Sequence, residues 1–348
     1  MNAAAHRPLR VWCVLDHKPG HRNLARGMVA AVAAARAAVI TEVAAPAWAG
    51  PIGKGLQFCW PLGASLARRA STVPTGEAPD LVVGSGGNAL WFTAALARAV
   101  GATGVFVGSR RRLPVSAVGA FVHYDPTLAA EGTLCLPILP GPFGKQEQST
   151  AWRTFAGERQ WPEAQRHLVA LIGGDGSGYR WSPEDGRQLG QMMRGLQELT
   201  GRTWLVTTSR RTPAEFESVL RAELPAAAVG DACWFHAGDQ RRVVSAYLGG
   251  AAAVFVSEDS MSMIHEGITS GQRVVTLRPV AATPPPSHQA YIEHAVGQGW
   301  IRSEPLAKGA PSSLASWLSA GGGYAGDALA DMGRTLLAHL ERQGKLAR

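Results

Sequence analysis

The run Val256-Ser257-Glu258-Asp259-Ser260-Met261-Ser262-Met263-Ile264-His265-Glu266-Gly267 holds the densest chemistry in this 348-residue chain. It reads as a strand passing through a polar turn into a helix. Backbone amides at such a helix start point outward and carry the positive end of the helix dipole, so those of Met261, Ser262 and Met263 can hold a diphosphate. Asp259 or Ser260 is also a natural N-cap, which would leave this turn a purely structural role. Glu266 follows about two turns into the helix, where its carboxylate either accepts hydrogen bonds from both hydroxyls of a ribose or lies on a solvated face. Two more groups fit phosphate chemistry. Gly173 and Gly174 let a backbone come close to a phosphate, or form a plain turn. Ser209, Arg210 and Arg211 end a strand, and one guanidinium there can neutralise a diphosphate leaving group as charge develops; ordinary surface arginines are the alternative. No DxD triplet, HExxH or other compact ligand set occurs, so neither a metal nor a bound cofactor is expected.

Positioning these groups requires short buried strands, and the sequence supplies them in alternation with helices. β-rich runs lead into turns and then Ala/Leu-rich stretches, the pattern of a parallel-sheet α/β protein. In the first half, strands are expected at Leu9 to Leu15, Ala38 to Val43, Leu81 to Val83, Gly104 to Val107, Ala120 to His123 and Gly132 to Leu136, with helices at Asn23 to Arg36 and Ala89 to Val100. Between Pro137 and Pro162 the pattern dissolves into Pro, Gly and polar residues, which places the interdomain connection there and predicts domains over 1–150 and 151–348. It resumes with strands at His167 to Ile172, Thr203 to Thr207, Ala232 to His236, Ala253 to Ser257 and Arg273 to Leu277. Helices are expected at Pro183 to Thr200, Thr212 to Glu223 and Ser260 to Ser270, and Pro284-Pro285-Pro286 reads as a rigid loop. A last helix near Leu329 to Gln343 can pack on either half. Two such halves facing one another would form a cleft lined by the carboxyl ends of strands, where open α/β sheets bind ligands.

Composition narrows the classes. With 46% hydrophobic and 17% charged residues, the chain can bury two cores, and a mainly disordered chain is excluded. No apolar run reaches the roughly 20 residues of a membrane helix, and Val11 to Leu15 is too short for a signal peptide, so a cytoplasmic location is expected. Cys13, Cys59, Cys135 and Cys233 form no CxxC pair and read as free thiols. The net charge of +8 suits phosphate-bearing partners or an anionic membrane surface. Only five of the 34 basic residues are Lys, and no nucleic-acid motif accompanies them, so nucleic acid is not an expected partner. The stretch Trp48 to Arg69 interleaves Trp48, Phe58 and Trp60 with Lys54, Arg68 and Arg69, a mixture suited to a bilayer interface or a lipid-linked acceptor, or to a packed loop.

The Ser257 to Glu266 segment, followed by Gly271-Gln272-Arg273-Val274-Val275, resembles the donor nucleotide site of the GT-B glycosyltransferases, especially the peptidoglycan N-acetylglucosaminyltransferase group. Asp80-Leu81-Val82-Val83-Gly84-Ser85-Gly86-Gly87 before an Ala-rich helix is similar to the glycine-rich acceptor-side loop of that group. The whole chain resembles still more the bacterial relatives of the plant mitochondrial-fission-factor family. That likeness lies in Asp16-His17-Lys18-Pro19-Gly20-His21, Ile172-Gly173-Gly174-Asp175, Tyr179-Arg180-Trp181, Thr208-Ser209-Arg210-Arg211-Thr212-Pro213 and Glu258-Asp259-Ser260-Met261-Ser262-Met263.

The resemblance implies a GT-B-like fold of two Rossmann-like α/β domains facing across a cleft. It implies a metal-independent transferase that takes a nucleotide-sugar donor in its second half and an acceptor, lipid-linked among the options, in its first. On that reading Lys18, Gly20, Gly86, Gly87 and Asn88 lie on the acceptor side. His21, in the turn after the first strand, would be the base, because an unperturbed imidazole titrates at about 6.5. An ordinary turn or capping histidine is the alternative. Asp16 and Lys18 flank that turn and either orient His21 or cap the loop; His123, in His123-Tyr124-Asp125, is a second proton-transfer candidate.

Three other readings compete. Gly84 to Ala89 fits GxGxxA, but Gly108-Ser109-Arg110-Arg111 stands where a ribose-binding acid is expected, which leaves room only for NADP. A nucleotide-sugar epimerase would share the donor site. A noncatalytic, partner-recruiting scaffold would need none.

Overall fold

Near-continuous aliphatic runs, Leu81-Val82-Val83 and Leu168-Val169-Ala170-Leu171 among them, are buried on both faces in the computed structural model, as strands in the middle of parallel sheets must be. The structure describes residues 7–49, 63–70, 73–125, 132–141 and 144–346. The chain forms two units, Met1–Pro142 with Ala328–Arg348, and Phe143–Asp327.

The first unit has β1 (Leu9–Leu15), β2 (Ala38–Ala44), β3 (Leu81–Ser85), β4 (Thr103–Val107), β5 (Ala120–His123) and β6 (Thr133–Cys135), with α1 (Pro19–Ala35), α2 (Ala64–Arg68) and α3 (Leu90–Val100). Its six strands are parallel in the order β2-β1-β3-β4-β5-β6. α1 starts at Pro19, not at Asn23. Proline at the first helical position lacks only an N–H that would have had no helical partner, so the His-Lys-Pro-Gly run opens the helix and is not a free turn.

The second unit holds β7 (His167–Leu171), β8 (Tyr179–Arg180), β9 (Trp204–Thr207), β10 (Val229–Cys233), β11 (Ala251–Ser257), β12 (Arg273–Arg278), β13 (Ala281–Ala282) and β14 (Ile301–Pro305). Its main sheet is parallel in the order β10-β9-β7-β11-β12-β14, and β8 and β13 make a small antiparallel pair. The helices are α4 (Lys145–Glu158), α5 (Pro183–Thr200), α6 (Ala214–Glu223), α7 (Val244–Gly249), α8 (Met261–Thr269), α9 (Pro286–Gly297) and α10 (Pro311–Ser319). The final helix, α11 (Ala328–Arg342), belongs to the first unit and packs on α1, with Arg36 4.0 Å from Glu341.

Several sequence expectations are corrected. The connection is not a structureless stretch to Pro162: α4 occupies most of it, and the boundary falls at 142/143, not at 150. The polar composition of α4 hides a narrow apolar stripe, Trp152, Phe155 and Ala156, buried beside Trp161 and His167. The Gly144 amide donates to Glu147 at 3.0 Å and starts the helix. The third residue of Pro284-Pro285-Pro286 opens α9 instead of extending a loop. The strand expected at Ala232 to His236 lies at Val229–Cys233, because Phe235–Ala237 turns into a short 3-10 helix. Lys54, Phe58, Cys59 and Trp60 lie outside the described residues. Trp48 packs edge-on against Trp91 and Phe92, both at 6.2 Å, while Arg68 and Arg69 are exposed. Among the described residues no helix is long and apolar enough to cross a membrane, and Cys13, Cys135 and Cys233 are free thiols.

Candidate functional site

In the second unit the loops after β7, β9 and β11 meet at the carboxyl end of the sheet. Gly174 has φ +121°, and a Cβ there would fall 2.2 Å from the carbonyl carbon and oxygen of Arg211, so only glycine lets the two loops touch. The contact is built on the backbone, with the Asp175 amide donating to Arg211 O at 3.0 Å. Ser257 Oγ accepts the Gly173 amide at 2.6 Å, and Asp259 Oδ1 accepts the Gly174 amide at 3.2 Å. Ser209 Oγ donates to Gly173 O, and Thr212 Oγ1 donates to the same carbonyl at 3.0 Å.

Asp259 holds Arg211 Nη2 at 2.8 Å; its side chain is fully buried, whereas that of Arg211 is 40% exposed. Burial pushes the Asp259 carboxyl up, opposed by Ser257, Arg211 and the Gly174 amide. The result is a cation anchored from behind and presented to solvent. Ser260 occupies the N-cap of α8 without capping it: its hydroxyl lies 3.4 Å from Ser262 Oγ and accepts from no helix amide. The first-turn amides of Met261, Ser262 and Met263 are therefore left without a side-chain cap. Glu266, one face along the same helix, is half-buried, and burial raises its carboxyl to about 7. Among the described residues the Glu266 carboxylate has no hydrogen-bond or ionic partner. Arg210 is exposed, and among the described residues its side chain has no hydrogen bond or ion pair to this group. A pocket of ≈ 600 Å³ opens beside the β7 loop, between Asp175, Tyr179 and Arg180 on one side and Ala281 to Thr283 on the other.

Glu258, quoted in the sequence motif without a role, is completely buried. Its Oε2 accepts Arg278 Nε at 2.6 Å and the Tyr179 hydroxyl at 3.1 Å, and Oε1 accepts Thr276 Oγ1 at 3.0 Å and Ser303 Oγ at 2.6 Å. Every lone-pair direction is taken, so this acid braces β8, β12 and β14 and has nothing left for a ligand.

In the first unit, Asp16 directly follows β1 and His21 sits in the first turn of α1, its Nδ1 3.0 Å from Asp16 Oδ2. The Asp16 side chain is fully buried and the His21 side chain is 35% exposed. Burial raises the Asp16 carboxyl, but hydrogen bonds from His21, the Lys18 amide at 3.3 Å and Asn88 Nδ2 at 3.4 Å outweigh it and hold the group below its ordinary value. Gly86, at φ +94°, lets the β3 loop pass this pair, since a Cβ there would meet Asp16 Oδ2 and His21 Nδ1 at 2.2 Å. His21, Gly86, Gly87, Ser109 and Arg111 line a pocket of ≈ 200 Å³. Lys18 joins through its backbone and N-caps α1, and Gly20 is a helical residue with open space around it. His123 is not among the residues that line this pocket; it is buried at the end of β5, where burial lowers its pKa against an opposing pull from Asp125. Sequence reasoning missed Arg111 and Thr212 as parts of these sites; the signal for Arg111 was the Arg110-Arg111-Arg112 run directly after a strand. Among the described residues, no group of three His, Cys, Asp or Glu side chains could hold a metal ion.

A family model described as mitochondrial fission ELM1 matches residues 143–317, half of the chain. No curated protein matches. Among solved structures, the UDP-GlcNAc 2-epimerase from Methanocaldococcus jannaschii aligns with a TM-score of 0.55 at 9% identity, over 96% of this chain and 100% of that one. S. aureus MnaA, solved with UDP, aligns at 0.50 and 11% identity, over 97% and 98%. Acinetobacter baumannii MurG aligns at 0.44 and 10% identity, over 95% of each chain. Such likenesses concern the fold, which is GT-B-like with two Rossmann-like α/β domains.

Proposed function

The chain belongs to the mitochondrial fission ELM1 family, and from that premise we propose that it is a metal-independent glycosyltransferase of the GT-B type. The observation that carries this reading is the Asp16–His21 pair, a buried carboxylate holding a solvent-reaching imidazole beside a pocket. A partner-recruiting scaffold has no use for that arrangement. Nδ1 of His21 donates to Asp16, which leaves Nε2 as the acceptor for a proton from an incoming hydroxyl. As that proton moves to Nε2, the hydroxyl oxygen bonds to the anomeric carbon of the donor sugar. The bond from that carbon to the nucleoside diphosphate breaks, and Asp16 stabilises the imidazolium formed.

The donor is a nucleotide sugar held by the second unit. Its diphosphate lies against the α8 amides and Arg211, which take the charge that develops on departure in place of a cation. Ser209, Gly173 and Gly174 shape that loop, and Glu266 accepts the ribose hydroxyls. The acceptor is bound by the first unit. Reversible attachment to an anionic membrane through Arg68, Arg69 and their neighbours would suit an amphipathic acceptor.

Calorimetry with UDP, GDP, ADP, CDP and TDP, without divalent metal, tests the donor site, and failure of all five at millimolar concentration would remove it. Product analysis with the nucleotide sugar that binds then separates transfer, which needs an acceptor, from epimerisation, which does not.

A further inference from the structure

We infer that the acceptor handled at His21 carries an oxyanion, a phosphate or a carboxylate, and that Arg111 is the residue that binds it. This rests on His21 being the base. The two groups share one small pocket, with Phe106 and Leu24 supplying its apolar wall. Their separation is bounded by the glycine pair between them. A Cβ on Gly86 would meet the His21 ring, and one on Gly87 would lie 2.6 Å from Arg111 Nη2. Because consecutive Cα atoms are about 3.8 Å apart, imidazole and guanidinium lie within roughly 12 Å of each other.

The neighbouring arginines of this unit are engaged: Arg7 by Asp80, Arg26 by Glu42, and Arg110 by the Leu113 carbonyl at 3.0 Å. The Arg111 guanidinium has no hydrogen-bond or ionic partner among the described residues. No acid lines the pocket, and Asp16, the acid that holds His21, is occupied by that histidine, the Lys18 amide and Asn88. Arg111 also stands at φ +50°, a left-handed conformation more readily adopted by glycine, with its amide donating to Ser109 Oγ at 3.3 Å. A free guanidinium at the lip of a pocket matches two oxygens of a phosphate or carboxylate in a fork, while a hydroxyl of the same molecule reaches His21 Nε2. A neutral acceptor would leave that charge unused.

The test follows the His21 imidazole by NMR in the full chain labelled with ¹⁵N-histidine, the signal assigned with His21→Gln. Glucose 1-phosphate, glucuronate and glucose are the probes, at low ionic strength in a Glu266→Ala background that weakens nucleotide-site binding. The expected result is that a charged probe shifts the His21 signals and raises its titration midpoint, and that glucose does neither. Arg111→Gln should weaken the charged probe about tenfold or more, with Arg111→Lys falling between. Gly87→Ala, which displaces the guanidinium, should act in the same direction and keeps the test open if Arg111→Gln folds poorly. A response to glucose 1-phosphate alone, to glucuronate alone or to both identifies the oxyanion. Equal responses to charged and neutral probes, no response to any, or undiminished binding in folded Arg111→Gln would overturn the inference. Separate UDP calorimetry on the unaltered chain shows whether the donor reading stands, so the two failures cannot be confused.

Discussion

At the end of β1 a fully buried aspartate, Asp16, holds a partly exposed histidine at 3.0 Å; at the end of β11 a fully buried aspartate, Asp259, holds a partly exposed arginine at 2.8 Å. Each unit thus fixes one working side chain by anchoring it on a buried acid in the loop that follows a strand. The difference lies in what is anchored and how the acid is satisfied. Asp16 receives three hydrogen bonds and stays below its ordinary pKa, whereas burial dominates at Asp259 and raises it. A titratable partner suits proton transfer, and a permanent cation suits a diphosphate. The same device has been given opposite chemistry by the residue placed at its tip.

The comparison breaks most visibly at His21. His21→Ala should lower turnover about 10² to 10⁴-fold while nucleoside diphosphate affinity, measured by calorimetry, stays near that of the unaltered protein. If turnover is unchanged, the base is elsewhere and His123 becomes the next candidate.

Glu258 marks the boundary between anchoring and bracing. Glu258→Ala removes the acceptor of the partly buried Arg278 guanidinium and of three hydroxyls, those of Tyr179 and Thr276 fully buried, so urea unfolding should show a loss of about 3 to 5 kcal/mol. A loss confined to nucleotide affinity would mean that Glu258 serves the ligand after all.

Matched amide substitutions sharpen the contrast. Asp16→Asn should reduce turnover and spare nucleotide affinity, because it weakens control of the imidazole tautomer. Asp259→Asn should do the reverse, costing about 1 to 3 kcal/mol of diphosphate affinity as Arg211 loses its charged anchor. Swapped outcomes would exchange the roles of the two units.

The smallest effect is a pH dependence. Glu266 has a folded pKa of about 7 against an ordinary value of 4.5, so the folded state binds the extra proton between those limits. Its contribution to stability is full below about 4.5 and is lost as pH rises through about 7. Nucleotide affinity should move the other way, strengthening above pH 7 as the carboxylate forms, and Glu266→Gln, followed by calorimetry from pH 6 to 8, should flatten that slope. Glu266→Ala should weaken binding by about 1 to 3 kcal/mol.

Strand positions were readable because parallel strands buried on both faces must be apolar throughout: β1, β5 and the helix α5 fall where the sequence places them. α4 was not, since its buried stripe of Trp152, Phe155 and Ala156 is diluted by Gln, Ser and Thr on a broad solvent face. The Gly173-Gly174 and Gly86-Gly87 pairs announced close backbone approach, but not what approaches. That Gly174 meets Arg211 and Gly86 meets His21 depends on loops far apart in the chain.

Residue order alone therefore determined the α/β class, the repeated strand-turn-helix units and which turns carry glycine, basic or acidic groups, because burial periodicity and turn chemistry are local properties. Only the tertiary structure decided that Glu258 is a brace while Asp259, its neighbour, anchors Arg211, that Arg210 is left outside while Arg211 is drawn in, and that Arg111 shares a pocket with His21. Those choices turn on which side chains become buried together and which hydrogen-bond donors they find there, and neither is set until strands distant in sequence lie side by side.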